Sequence, residues 1–385
     1  MSGGVDSSVA AALLLEQGYE VIGCFMRLGS PGEAIDAPTL DAACDASAKP
    51  LRIGKQGCCS INDTADARQV AASLGIPLYV CNFKKDFGRI IDYFVDEYAQ
   101  GRTPNPCVRC NDWLKFGKLH DYAKQLGASF VASGHYARVE RIDGSLRLLR
   151  GVDEDRDQSY VLFGVPPEHL ETMLLPVGAI RKPHLREMAR ARGLIVSDKP
   201  DSQEICFVPD NDYAGLVERT GRGSGAGRIV DPAGKVVGEH AGQHHFTIGQ
   251  RRGLDLALGY RIYVTGRDAA TNTVTVGPRE MLLRTGCVAG EANWLAKPLG
   301  TEWTPCMAQY RYNSDAVPAR VRGLEDSPGP TTSGRCGRFE VLFDEPQEAV
   351  APGQAVVLYE VEATDVVIGG GWIESAHAAP VDTRM

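Results

Sequence analysis

The chain opens Met1-Ser2-Gly3-Gly4-Val5-Asp6-Ser7-Ser8 and runs directly into Val9-Ala10-Ala11-Ala12-Leu13-Leu14-Leu15-Glu16-Gln17. Gly3 and Gly4 lack a Cβ, so the backbone can turn tightly and approach a polyanion. Ser2, Ser7 and Ser8 add hydroxyl donors. The Ala/Leu run has strong helix propensity, and Gly18 is placed to end the helix as a C′ residue. This is a phosphate loop leading into a helix whose free N–H groups and positive dipole end face the anion. It lacks the Lys-Ser/Thr of a Walker loop.

Ser2-Gly3-Gly4-Val5-Asp6-Ser7 resembles the loop of the N-type ATP pyrophosphatases, which cleave ATP between the α- and β-phosphates. A doubly wound fold delivers such a loop from the C-terminal end of a strand. Only Met1 precedes the loop here, so that strand is expected either upstream of Met1 or not at all.

Downstream, helical and strand-like segments alternate. Tyr19 to Met26 reads as a strand, Thr64 to Leu74 as a helix and Leu78 to Phe83 as a strand. Asp86 to Ala99 and Trp113 to Gln125 read as helices, with Ser129 to Ser133 a further strand. The alternation predicts an α/β layer on a doubly wound parallel sheet. Residues 27 to 63 form a long irregular stretch. Lys182, Arg186 and Arg190, spaced by four, would share one helix face, either solvated or RNA-binding. From about Tyr213 the helical signal fades into short strands and Gly/Pro turns. That predicts a small β-rich unit and then a β-barrel. The expected divisions are 1–212, 213–281 and 282–385.

Composition narrows the class. The 385 residues are 43% hydrophobic and 23% charged, as in ordinary globular proteins. The longest apolar runs are too short to span a bilayer, and no secretory leader is recognisable. Eleven cysteines in a chain of this size point to a reducing compartment, so a cytoplasmic location is expected. A net charge of −8 excludes a wholly basic surface while leaving room for a local basic patch.

Two cysteine motifs carry chemistry. In Thr103-Pro104-Asn105-Pro106-Cys107-Val108-Arg109-Cys110-Asn111, two prolines stiffen the approach to a C-x-x-C lying just before a helix. A thiol there is biased toward thiolate, with Arg109 able to help. The pair is compatible with redox chemistry, half a zinc site or cluster ligation. Cys58-Cys59 is the other dense group. In Asp201-Ser202-Gln203-Glu204-Ile205-Cys206-Phe207, Cys206 alone reads as a small buried residue more readily than as a nucleophile.

Together these motifs resemble the tRNA-specific 2-thiouridylases over almost the whole chain. Ordered matches continue through Gly134 to Ala137, Asp157 to Tyr160, Gly249 to Gly253, Arg311-Tyr312, Pro352-Gly353-Gln354 and Gly369 to Ile373. The resemblance implies an N-terminal ATP pyrophosphatase domain, a small central domain and a C-terminal β-barrel. It implies ATP binding by Met1, Ser2, Gly3, Gly4, Val5, Asp6, Ser7 and Ser8, with Met26 and Gly134 near the adenosine, and Mg²⁺ on the phosphates. It makes Cys206 the persulfide carrier and Cys110 its partner, with a disulfide between them after turnover. Asn105, Pro106 and Cys107 would meet the target base, and His135, Arg156, Asp157, Gln158, Arg311, Tyr312 and Gln354 would contact tRNA.

The implied partners are a tRNA with a modifiable wobble uridine and a persulfide carrier protein or sulfide as sulfur donor. Many members carry Asp where this chain has Cys107. Cys107, Cys110 and Cys206 could therefore ligate a 4Fe–4S cluster that holds hydrosulfide on its open iron. Two alternatives stand beside this reading. One is another ATP pyrophosphatase, such as a 4-thiouridine synthetase or an amidotransferase synthetase. The other is a non-enzymatic RNA- or zinc-binding protein.

Overall fold

A computed structural model describes residues 1–29, 61–201, 205–208, 211–324 and 337–380. Cys58, Cys59 and residues 202 to 204 lie outside the described residues. The N-terminal layer begins with α1 (Val5–Glu16), β1 (Gly23–Arg27), α2 (Ile61–Leu74), β2 (Leu78–Asn82) and α3 (Lys84–Ala99). A second long helix follows in three pieces: α4 (Pro106–Arg109), a π-helical stretch Cys110–Lys118, and α5 (Leu119–Gln125). Next come β3 (Val131–Ala132), the hairpin β4 (Ala137–Ile142) and β5 (Ser145–Arg150), α6 (Ser159–Leu162), β6 (Met173–Leu174), α7 (Lys182–Ala191) and α8 (Tyr213–Arg219).

The parallel strands form two pairs, β1 with β2 (Phe25 opposite Val80) and β3 with β6 (Val131 opposite Met173). The phosphate loop lies between the pairs. The Met1 amino group donates to the Cys24 carbonyl on β1, and Gly134, just past β3, closes on the backbone of Asp6 and Ser7.

Helix α1 ends as its sequence predicts. Gly18 takes φ +86°, and the N–H of Tyr19 reaches back to the Leu14 carbonyl at 3.0 Å, a Schellman-type closure. Val5, Val9 and Ala10 pack against Val70 of α2 and Leu185 and Ala189 of α7. Helix α3 buries Phe87, Ile90, Phe94 and Tyr98, a helical spacing that forms one apolar stripe. That stripe packs against Phe207, Leu216 and Val217. Each such side chain removed from water contributes about 1.5–3 kcal/mol.

The central unit is a four-stranded sheet in the order β8-β7-β10-β9, built from β7 (Gly227–Val230), β8 (Val236–His240), β9 (Tyr263–Asp268) and β10 (Thr273–Gly277). The C-terminal unit is a closed six-stranded barrel in the order β11-β14-β13-β12-β15-β16. Its strands are β11 (Leu283–Trp294), β12 (Thr304–Gln309), β13 (Val317–Gly323), β14 (Phe339–Glu348), β15 (Ala355–Tyr359) and β16 (Val367–Ala378).

Strand β15 is buried at every position because both of its faces are covered. Val356 and Leu358 fill the barrel. Ala355, Val357 and Tyr359 pack against Val108, Tyr160 and Phe163 of the N-terminal layer. Among the described residues no helix is long and apolar enough to cross a membrane.

Several boundaries differ from the sequence reading. The first strand begins at Gly23, not Tyr19, and the helix expected from Trp113 begins at Pro106. Cys107 and Cys110 therefore lie inside its first turns, not before it. Pro106 permits this, because a helix's first position has no N–H partner to lose. Tyr213–Arg219 is helical, nucleated by the Asp212 carboxylate accepting the Gly215 N–H at 2.8 Å.

Candidate functional site

The phosphate loop is held by a network of charged side chains. Gly3 adopts φ +74°, and a Cβ there would fall 2.3 Å from the Asp63 carbonyl oxygen, so glycine is required. Ser7 Oγ accepts the Ser2 N–H at 3.1 Å, and Ser8 Oγ donates to the Gly4 carbonyl at 2.8 Å. Lys199 Nζ holds the loop from outside, donating to the Gly3 carbonyl at 2.9 Å and to Asp63 and Asp66 at 2.6 Å each. Gly4 is the N-cap of α1 and offers no side-chain acceptor, which leaves the helix's first N–H groups facing the loop.

Asp6 receives two donors, the Tyr136 hydroxyl at 2.7 Å and Lys182 Nζ at 2.7 Å. Lys182 also pairs with Asp201 at 2.8 Å, while Arg186 and Arg156 reach Asp201 at 2.9 and 3.0 Å. Burial alone would raise the Asp201 carboxyl; Lys182, Arg156 and Arg186 outweigh it and hold the group below the usual carboxylate range. Burial, reinforced by Asp6, pushes the Tyr136 hydroxyl far above its ordinary value, so it stays a donor. Gly134 is sterically compelled, since a Cβ would lie 2.6 Å from the Asp6 carbonyl carbon. Met26 sits on β1 opposite Cys81.

The basic face expected on α7 is therefore not a free surface. Lys182 is buried between two carboxylates, Arg186 caps the Ser197 and Lys199 carbonyls, and Arg190 pairs with Asp198 at 2.8 Å. These acids answer the charges locally.

The cysteine motifs converge on one core. Cys110 and Cys206 both lean on the apolar cluster of Phe87, Phe94 and Phe207. Cys107 is exposed, near the Tyr312 hydroxyl. Among the described residues, the sulfurs of Cys107, Cys110 and Cys206 do not gather within the span of a single ion. Arg109 is engaged with the barrel. Its guanidinium is buried, forms a bidentate pair with Glu291 of β11 at 2.9 Å, and stacks on Trp372 at 4.1 Å. Glu291 takes φ +49° to make that pair.

The segment before Cys107 is fixed by the barrel. Gln354 Nε2 donates to the Thr103 carbonyl at 2.9 Å, and the Thr103 N–H donates to the Pro352 carbonyl at 2.9 Å. Asn105 hydrogen-bonds the buried Tyr160 hydroxyl, which also donates to the Ala355 carbonyl at 3.0 Å.

The residues assigned to tRNA divide into two groups. Arg156, Arg311 and Tyr312 are exposed, as is Cys107. The others are turned to internal work. Asp157 accepts from Gly151, Ser159 and Arg150, and Gln158 accepts the Tyr136 N–H at 3.0 Å. His135 is buried between Ser133 Oγ at 2.7 Å and Lys115 Nζ at 3.4 Å. Burial, with Lys115 adding to it, holds the His135 imidazole well below its usual range and therefore neutral.

Sequence reasoning missed Tyr136, Lys115, Lys182 and Lys199 as parts of the site. Tyr136 lies inside the quoted Gly134 to Ala137 motif, and Lys199 immediately precedes the Pro200-Asp201 step. Position beside a motif was the available signal.

Residues 1–210 match the family described as tRNA methyl transferase HUP domain. Residues 217–278 match its PRC-barrel domain, and residues 284–373 an aminomethyltransferase beta-barrel domain. The chain is 48% identical to the tRNA-specific 2-thiouridylase MnmA of Rhodopirellula baltica, covering 98% of this chain and 95% of the relative. It is 47% identical to the protein of that name from Geobacter metallireducens, covering 98% and 96%. The corresponding figures for Geotalea uraniireducens are 46% identity, 100% and 96%.

Proposed function

The chain belongs to the tRNA-specific 2-thiouridylases, and from that premise we propose that it uses ATP to replace the O2 oxygen of a tRNA wobble uridine with sulfur. As a member of that family it is a tRNA sulfurtransferase. The observation that carries the mechanistic reading is the pairing of two features. One is a phosphate loop closed by Gly134; the other is the placement of Cys110 and Cys206 on one apolar core.

A uridine carbonyl oxygen is a poor leaving group. Attack of that oxygen on the ATP α-phosphorus expels pyrophosphate and leaves an O2-adenylated base with an electrophilic carbon 2. The loop N–H groups and the start of α1 bind the phosphates. Mg²⁺ on the phosphates would neutralise the charge of the leaving pyrophosphate, and Asp6 is the carboxylate in the loop suited to hold it. The base must leave the anticodon stack to be reached, and the exposed Arg156, Arg311 and Tyr312 suit the phosphate and stacking contacts that hold it out.

Sulfur arrives on Cys206 as a persulfide from a donor protein. Its terminal sulfur attacks carbon 2 and AMP leaves. Cys110 thiolate then attacks Cys206 Sγ, the bond to the transferred sulfur breaks, and thiouridine departs. A Cys110–Cys206 disulfide remains, which an external thiol reduces. The shared core under Cys110 and Cys206 favours this relay, with Cys107 outside it. We read the chain as units 1–212, 213–281 and 282–385, acting in the cytoplasm.

The experiment is mass spectrometry of nucleosides from tRNA incubated with the protein, ATP and a persulfide donor. 2-Thiouridine formed only with ATP supports the proposal. Its absence from protein that binds ATP overturns it.

A further inference from the structure

Away from the loop and the cysteines, helix α8 and the turn Gln243–His245 meet at a cluster of three metal-binding side chains. One ligand atom each from Glu218, His244 and His245 lies within 4.8 Å of the others. His245 Nε2 is 2.9 Å from Glu218 Oε1, and His244 Nε2 is 3.5 Å from the same oxygen. Tetrahedral zinc with ligand bonds near 2.0–2.1 Å separates its donors by ~3.3 Å. Both Glu218–histidine distances lie close to that spacing.

A second observation points to a ligand. His244 is 2% exposed, and its Nε2 is buried with no hydrogen-bond partner. Its other nitrogen, Nδ1, meets Ser224 Oγ at 3.3 Å. With Nδ1 donating to that hydroxyl, Nε2 carries a lone pair aimed at a carboxylate. In that tautomer two electron-rich atoms face each other, and the buried nitrogen is left unsatisfied. A cation between them removes the conflict.

The ring is also deliberately accommodated. A Cβ on Gly242 would lie 2.3 Å from His244 Cε1, and one on Gly223 would lie 3.2 Å from it. Ser224 is then the outer partner that fixes the tautomer of a metal-binding imidazole.

We propose that Glu218, His244 and His245 form a binding site for a divalent transition metal of the zinc type, with a fourth position left to water. The site fastens α8 to the central unit. The same turn is anchored to the N-terminal layer, because Gln243 Nε2 donates to the Tyr98 and Ala99 carbonyls at 3.0 and 3.1 Å. A metal here therefore pins the end of α3, the helix α8 and the turn after β8 to one point.

The test uses the full chain, freed of metal and titrated with cobalt(II), with His245→Ala and Glu218→Gln as variants. His245 is exposed, so its removal spares the fold. The wild type should show tetrahedral visible d–d bands that lack a matching thiolate-to-cobalt charge-transfer band. Both variants should lose those bands and bind zinc at least tenfold more weakly in competition with a chromophoric chelator. Any thiolate band from the cysteines should be the same in all three proteins. Unchanged d–d bands and zinc affinity in His245→Ala, or a wild type whose only cobalt signal is thiolate, would overturn the site.

Discussion

Replacing Lys182 by Met removes a cation that Asp6 and Asp201 share. Lys182 Nζ lies 2.7 Å from Asp6 and 2.8 Å from Asp201, with side-chain exposures of 9%, 30% and 17%. Asp6 would keep only the Tyr136 hydroxyl among these partners, while Asp201 would keep Arg156 and Arg186. Breaking a fully buried pair costs 3–5 kcal/mol; with Asp6 partly solvated, about 2–3 kcal/mol is the reasonable figure. For a unit of roughly 200 residues each kcal/mol lowers the melting temperature by about 2–4 °C, so a drop of about 4–12 °C is expected at neutral pH.

The effect has a pH signature. The folded Asp201 carboxyl titrates below its unfolded value. Its stabilisation is present above the unfolded value and is lost as pH falls through the folded one. The gap between wild type and variant should therefore be full at pH 7 and should narrow below about pH 4, the unfolded aspartate value. Thermal melts of Lys182→Met, Asp6→Asn and the double variant supply the control. The double variant should recover part of the loss, because one of the two carboxylates is then uncharged. Strictly additive effects, or a melting point lowered by less than about 1 °C, would refute the shared-cation reasoning.

Further outcomes follow from the same geometry. Gly134→Ala drives a Cβ against the Asp6 backbone, so ATP-dependent pyrophosphate release should fall by more than tenfold while the barrel stays folded, checked by a pyrophosphate assay beside circular dichroism. Asp6→Ala should abolish pyrophosphate release yet leave tRNA affinity within twofold, measured by filter binding. Arg190→Ala should leave the slope of log tRNA affinity against log salt unchanged, because Asp198 already neutralises that side chain. Cys107→Ser, prepared without oxygen, should keep thiolation activity with a persulfide donor; loss of activity together with loss of iron would instead establish the cluster route.

Local chemistry made much of this molecule legible. The glycines of the first loop and the Gly18 stop predicted α1, and the spacing of short strands predicted the barrel. What escaped depended on distant partners. The hairpin Ala137–Arg150 was overlooked although Asp143 and Gly144 both take positive φ, the signature of an Asp-Gly turn. Strand β11 was masked by Gly286 and Gly290, which dilute its β-forming residues. The period-four spacing of Lys182, Arg186 and Arg190 did place them on one helix, but the acids that pair with them lie elsewhere in the chain. Asp6 lies 176 residues from Lys182, and no local pattern announces such a pair. Arg109 likewise sits beside two cysteines in sequence while its partner is Glu291, 182 residues away.

In the proposed reaction ATP activates the uridine oxygen itself. The direct measurement is turnover of tRNA carrying oxygen-18 at O2 of the wobble uridine, with mass analysis of the released nucleotide. Pyrophosphate and AMP are expected, with the heavy oxygen in the AMP phosphate in equal amount to the 2-thiouridine formed. Unlabelled AMP, or ADP with phosphate in its place, would contradict it.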